Sequence, residues 1–258
     1  MSFLNDIVDF GKSAIEYLSG NGTAAALLRT VGMIWVVQQL NQNKANDPNT
    51  PANIDNGVRL QIPPAADNKI PVLYGTAFFG GIITDAVMTN TNKTMYYCLT
   101  LSEKTGTKLS DGLASDYVFK NIYWNDQRIV FNSDGITANY TVDRNGIVDN
   151  SISNQVQVWC YKGGTAQSYH TIPENYTNTS TVNAATIMPN WSTSTHLMNN
   201  LLFSIVRVDY NSEKNITGLG DMKFQIQNTM KLPGDCLYDY MTNTRYGAGI
   251  DPAEINSQ

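Results

Sequence analysis

Hydrophobic and polar positions change period twice along this chain. Phe3, Leu4, Ile7, Val8, Ile15 and Leu18 recur at helical spacing, with Asp6, Asp9, Lys12 and Glu16 on the other face. This predicts an amphipathic helix over 3–18, closed by the run Ser19-Gly20-Asn21-Gly22. Residues 23–40 predict a second helix, apolar on nearly every side. Arg29, Gln38 and Gln39 interrupt or bound its apolar run. A spanning helix needs about 20 largely apolar residues, so a helix buried against a partner fits better than a stable membrane span. The stretch from Asn41 to Gly57 is rich in Asn, Asp, Pro and Ala and reads as a linker. The expected division is a helical arm over 1–45, a linker over 46–57 and a second domain over 58–258, with a subdomain inserted around 104–200.

From Val58 onward the period drops to two, the signature of half-buried strands. Strands are predicted at Val58–Ile62, Lys93–Ser102, Val118–Ile129 with a turn at Asn125-Asp126, Val156–Tyr161, Leu201–Tyr210 and Met222–Gln227. The segment Ile70–Thr84 is Pro-started, cut by Gly75 and then by Gly80-Gly81, and predicts two short strands joined at a tight bend. Thr195–Asn200 predicts a helical turn or two, and residues 162–185 a polar loop. Near the C-terminus, Gly234-Asp235 opens a helix that puts Leu237, Tyr238 and Met241 on one face. Asp251-Pro252, with Glu254 three residues after Asp251, reads as the cap of a further helical turn. The expected fold class is therefore mainly β, α+β overall through the N-terminal helical arm.

Composition sharpens this picture. Charged residues make up only 15% of the 258 positions, so Asn, Thr, Ser and Gln carry most of the polarity. With 14 tyrosines, that suits turn-rich β structure. Net charge is −5 and the cations are scattered singly, which argues against a phosphate-tracking surface and nucleic-acid specificity. Cys98, Cys160 and Cys236 are far apart, and His170 and His196 are the only histidines, a poor set for a zinc site. They read as reduced thiols. Four Asn-x-Ser/Thr matches, at Asn92, Asn139, Asn175 and Asn190, follow from the Asn/Thr-rich composition and read as unmodified.

The search for chemistry returns little. No nucleophile elbow, zincin, P-loop or dinucleotide fingerprint occurs. Thr217-Gly218-Leu219-Gly220 reads as a loop between strands. Asp235 and Asp239, four apart, read as a solvated helix face, and Glu103 and Glu174 as unpaired loop carboxylates. Trp124, Trp159 and Tyr161 read as core or interface more readily than as a sugar platform. No catalytic, cofactor or metal residue is assigned.

Four segments carry a resemblance. "IPVLYGTAFFGGIITDA" from Ile70 resembles the I-P-V-x-Y-G-x-x-x-x-G-G segment of tailed-phage tail-tip and baseplate-hub proteins, relatives of the lambda-like central tail-tip protein. "FKNIYWNDQRI" (Phe119–Ile129) is similar to the strand–turn–strand of that family, and "LLFSIVRVDYN…GLGDMKFQIQN" (Leu201–Asn228) to its paired strands, with Asp221 where Pro or Asn is more usual. "LPGDCLYDYMTNTRYGAGID" (Leu232–Asp251) resembles the family's Tyr-Asp-x-x-Thr-Asn-x-Arg-Tyr-Gly-x-Gly-Ile segment and is the most specific of the four. They follow the family's order across roughly 58–258.

The resemblance implies a tail-tube-like β-barrel or sandwich and a structural, non-enzymatic virion protein without cofactors, assembled in the host cytoplasm. It would form a ring, a homotrimer, at the end of the tail tube. Its partners would be the tail-tube or distal tail protein, other baseplate or tip proteins and the tape measure protein. Expected interface residues are Leu27, Leu28, Ile34, Trp35 and Val36 in the arm, with Tyr74, Phe78 and Phe79 in the body. A carbohydrate-binding β-module is the alternative, resting on Tyr and Trp in Asn/Thr-rich loops.

Overall fold

The structure is a computed structural model, and it describes residues 68–164 and 182–255. The expected strand at Val58–Ile62, the arm, the linker and His170 lie outside the described residues.

Ten strands form two antiparallel sheets. The first has six strands: β1 (Thr76–Phe79), β10 (Met222–Asn228), β4 (Tyr117–Trp124), β5 (Gln127–Phe131), β6 (Ala138–Val142) and β7 (Val148–Asp149), in that order. The second has four: β2 (Ile82–Thr89), β3 (Thr94–Glu103), β9 (Leu201–Asp209) and β8 (Val156–Lys162). The mainly-β fold class expected from the period-two runs is what forms, and the strands of the 104–200 stretch are shared between both sheets.

The bend at Gly80-Gly81 is the point where the chain passes from one sheet to the other. Gly81 takes φ +83°, and a Cβ there would sit 2.9 Å from Leu101 Cδ2 and 3.2 Å from Leu99 Cβ. The crossing is this close because the sheets pack face to face over one core, where Phe119, Ile122 and Phe224 of the first sheet meet Leu99, Val158 and Val206 of the second.

Alternation decides which side chains enter that core, and bulges correct it. On β4 the buried residues are Tyr117 and Phe119, then Ile122 and Trp124. The three-residue step falls where the register with β10 shifts between Phe224 and Ile226. One extra residue there keeps both halves of β4 facing inward and leaves Lys120 and Asn121 half-buried, opposite Gln225. The turn after β4 takes φ 48° at Asn125 and 65° at Asp126, the left-handed pair a tight hairpin requires, as the Asn-Asp dipeptide predicts.

The four-stranded sheet is covered on both faces, so β9 is buried at six of nine positions instead of alternating. Its outer face carries Cys98, Trp159, Tyr161, Phe203 and Ile205, which pack with Ala184 and Met188. Ala184 and Met188 belong to a segment containing α1 (Ala184–Ile187), a single turn capped by Asn183. Tyr161 and Phe203 stack with ring centroids 4.7 Å apart. The helical turn expected at Thr195–Asn200 does not form; the chain makes turns there, with the Ser192 N–H donating to His196 Nδ1. Side chains of Ser, Thr and Asn satisfy their own backbone and so favour turns over helix in such a run.

Candidate functional site: a bolted helix and a bare sheet face

The C-terminal helix, α2 (Pro233–Thr242), is built the opposite way round from its sequence pattern. Asp235 and Asp239 are 4% and 5% exposed, whereas Leu237 is 60% and Tyr240 51% exposed. The expectation of a solvated carboxylate pair is therefore corrected: the carboxylates face the body, and the apolar side chains face out.

The reason is a set of donors waiting for each acid. Asp239 Oδ2 accepts from Tyr74 Oη and Tyr246 Oη, both at 2.7 Å, and its Oδ1 accepts from the Gly106 N–H at 2.9 Å. Asp235 accepts from the Ser110 N–H at 2.8 Å and the Ser110 hydroxyl at 2.7 Å. Two carboxylates one helical turn apart thus bolt α2 onto the loop that carries Gly106 and Ser110. A buried carboxylate is tolerated only when its lone pairs are taken up this way. Burial, reinforced by the Asp239 charge, raises both phenols, Tyr74 and Tyr246, well above the ordinary tyrosine value. They act as neutral donors.

Next to this lies a second buried network. Asn228 Nδ2 donates to the Leu73 carbonyl at 2.7 Å and to Thr105 Oγ1 at 2.9 Å. The Thr105 N–H donates to Tyr117 Oη at 2.6 Å, and Thr105 Oγ1 bonds Ser115. Burial raises the Tyr117 phenol as well. These groups are all satisfied by one another, so the pair of networks fixes the position of α2 instead of offering a reactive group.

The residues after α2 lock on through their backbone. The Ala248 N–H reaches the Tyr240 carbonyl at 2.8 Å, and the Ile250 N–H reaches the Met241 carbonyl at 2.8 Å. Gly247 passes so near that a Cβ would lie 2.0 Å from the Tyr240 oxygen. Arg245 pairs with Glu103 and donates to the Asn200 carbonyl at 3.1 Å, which ties the segment to the end of β3. Glu103, expected in a loop without a partner, is the last residue of β3 and is held by this ion pair. The capped turn predicted after Asp251 forms as a 3-10 turn, Pro252–Glu254, with Asp251 accepting from the Ala253 N–H.

Of the interface residues expected from sequence, Leu27, Leu28, Ile34, Trp35 and Val36 lie outside the described residues. Tyr74 is half-buried and spends its hydroxyl on Asp239. Phe79 is half-buried and packs against the core between the sheets. Phe78, its neighbour on β1, points the other way and is 54% exposed, with its ring centroid 5.9 Å from that of Tyr123 on β4. Sequence reasoning missed Asp235, Asp239 and Tyr246, whose partners are up to 165 residues distant.

Trp124, Trp159 and Tyr161 are buried, so none presents a ring face to a sugar. Trp191 is half-buried, stacks on His196 at 5.2 Å and donates its Nε1 hydrogen to Asp85 at 2.6 Å. Among the described residues no group of three or more His, Cys, Asp or Glu could hold a metal ion, and no helix is long and apolar enough to cross a membrane.

No family model matches the chain, and no curated protein matches it. Among solved structures, a chain described as "Virion of native gene transfer agent (GTA) particle" matches 80% of this chain at 12% identity, with a TM-score of 0.34. The match spans 39% of that chain's length.

Proposed function

We propose that this protein is a structural, non-catalytic virion component: a tail-tip or baseplate hub subunit that forms a ring at the end of a tail tube and joins it to neighbouring tail proteins. The observation that carries this reading is the convergence of the four segments that resemble hub proteins. Ile70–Thr84 supplies β1 and β2, Phe119–Ile129 supplies β4 and β5, and Leu201–Asn228 supplies β9 and β10. Leu232–Asp251 supplies α2 and its lock. In the fold, β1, β10 and β4 are adjacent strands, and α2 is bolted to Tyr74 of the first segment. Segments scattered along the sequence thus form one unit whose glycines, tyrosines and carboxylates hold each other in place.

The chemistry of the surface agrees with assembly. The buried carboxylates are each occupied by hydrogen-bond donors, while large apolar side chains such as Leu109, Leu113 and Leu237 are left outward. Apolar side chains held at a surface are spent on partners. The apolar segment 23–40, with Leu27, Leu28, Ile34, Trp35 and Val36, would dock on a neighbour or inside the tail against the tape measure protein.

Quantitative mass spectrometry of purified particles, scaled to the tail-tube subunit, tests the proposal. A few copies per particle in a multiple of three is the expected result. Absence from particles refutes it.

A further inference from the structure

The outer face of the six-stranded sheet has an unusual charge pattern. Strands β1, β10, β4, β5 and β6 contain no Asp or Glu at all, although the chain carries a net charge of −5. Their charged residues are Lys120, Arg128 and Lys223. Pleating sends Met222, Phe224 and Ile226 of β10 into the core, so Lys223, Gln225 and Gln227 fall on the opposite face. Tyr123 pairs in register with both Lys223 and Arg128, which places all three in one row of that face. The Asn121 amide donates to Gln225 Oε1 at 2.7 Å on the same side. Phe78 and Tyr123 touch across it.

The result is a flat surface of aromatic rings, amides and cations. Asp126, in the turn at its end, pairs with Lys223, while Arg128 is exposed. Aromatic residues and Arg are the types enriched where proteins bury surface on partners.

We propose that this sheet face is an assembly surface and that its occupant is a second copy of this chain, presenting a different, acidic surface. The argument is charge complementarity. With the cations gathered on this face, the remainder of the chain is more acidic than the −5 of the whole. Two copies meeting sheet face to sheet face would oppose like charges, which costs energy in a desolvated contact. The contact is therefore heterologous, the kind that closes into a ring. This rests on the ring-forming reading given above and adds which surface makes the contact.

The experiment uses the full chain and its variants Arg128→Glu, Phe78→Ser and Arg144→Glu, compared by sedimentation velocity at low and high salt. Arg144 is exposed in the turn between β6 and β7, away from these rows. The expected result is a closed oligomer whose dissociation constant rises about tenfold or more with Arg128→Glu or Phe78→Ser, rises with salt, and is unchanged with Arg144→Glu. Thermal melts confirm that each variant is folded. Arg128→Glu changes an exposed residue, so it still tests the surface if Phe78→Ser fails to fold.

A full chain that stays monomeric at about 100 μM overturns the proposal, since a ring contact needs affinity below that. So does association untouched by both face variants, or weakened equally by Arg144→Glu. A monomer that instead binds labelled single-stranded DNA through Arg128 would also overturn it. Absence from particles with the face-dependent oligomer intact refutes only the virion reading. A hub protein whose oligomer ignores the face variants refutes only this one.

Discussion

Replacing Asp239 with Ala tests whether α2 is held by its carboxylates or merely rests on the body. The substitution leaves Tyr74 Oη, Tyr246 Oη and the Gly106 N–H without their acceptor. Hydrogen bonds to a charged group contribute about 1.5–3 kcal/mol each, and a stranded buried donor costs about 1–3 kcal/mol. Against this, the variant no longer desolvates a carboxylate, and water can enter the space. The net expected loss is about 3–4 kcal/mol, or about 10 °C in Tm for a domain of this size. Asp239→Asn keeps an acceptor oxygen but turns an amide toward donors, so about 2 kcal/mol is expected. The assay is urea unfolding of the full chain followed by far-UV circular dichroism, repeated with Tyr74→Phe in both backgrounds. Tyr74→Phe should cost about 1 kcal/mol in the native background and almost nothing once Asp239 is gone. An Asp239→Ala loss below about 1 kcal/mol would refute the bolt. Equal costs for Tyr74→Phe in the two backgrounds would do the same.

Two further outcomes follow from the same structure. Gly247→Ala would place a methyl 2.0 Å from the Tyr240 carbonyl oxygen, against backbone that cannot swing away. The lock should open at a cost of about 3 kcal/mol, read as a fall in Tm and as faster amide exchange at Ala248 and Ile250. Stability should also fall with alkali. Burial pushes the Cys98 and Cys160 thiols up to about 12 from an ordinary value of 9.0. The folded state therefore keeps protons that the unfolded chain releases; this contribution is complete below pH 9.0 and is lost as pH rises toward about 12. Each thiol contributes a slope of about 1.4 kcal/mol per pH unit in that window. Urea midpoints between pH 8 and 11 check it, and a double Cys→Ala variant with the same steep decline would argue against the assignment.

The strands were legible in the sequence because side-chain alternation is a local property. Val156–Tyr161 and Met222–Gln227 alternate and form β8 and β10 at nearly the same bounds. The Asn125-Asp126 turn, the Gly80-Gly81 bend and the capped turn at Asp251 were legible too, since each depends on the backbone preferences of its own few residues. The bulge in β4 was not, because it answers to the register with β10, a strand about 100 residues later.

The orientation of α2 is the clearest division between the two levels. Its sequence specifies a helix and where it starts, through Pro233 and Asp235. By period alone, Leu237 should face in and the two aspartates out. That inference assumes the surface beneath a helix is apolar. Here it offers the hydroxyls of Tyr74 and Ser110 and the N–H of Gly106, brought there by distant segments. Hydrogen-bond donors that must be satisfied outweigh the burial of one leucine, so the helix sits with its acids inward. The sheet face is a second case. Lys120, Arg128 and Lys223 are single cations in separate stretches of sequence, and only strand order and register gather them on one surface. Local chemistry determined the elements of this protein. Its contacts over long sequence separation decided which side of each element meets the core and which is left for a partner.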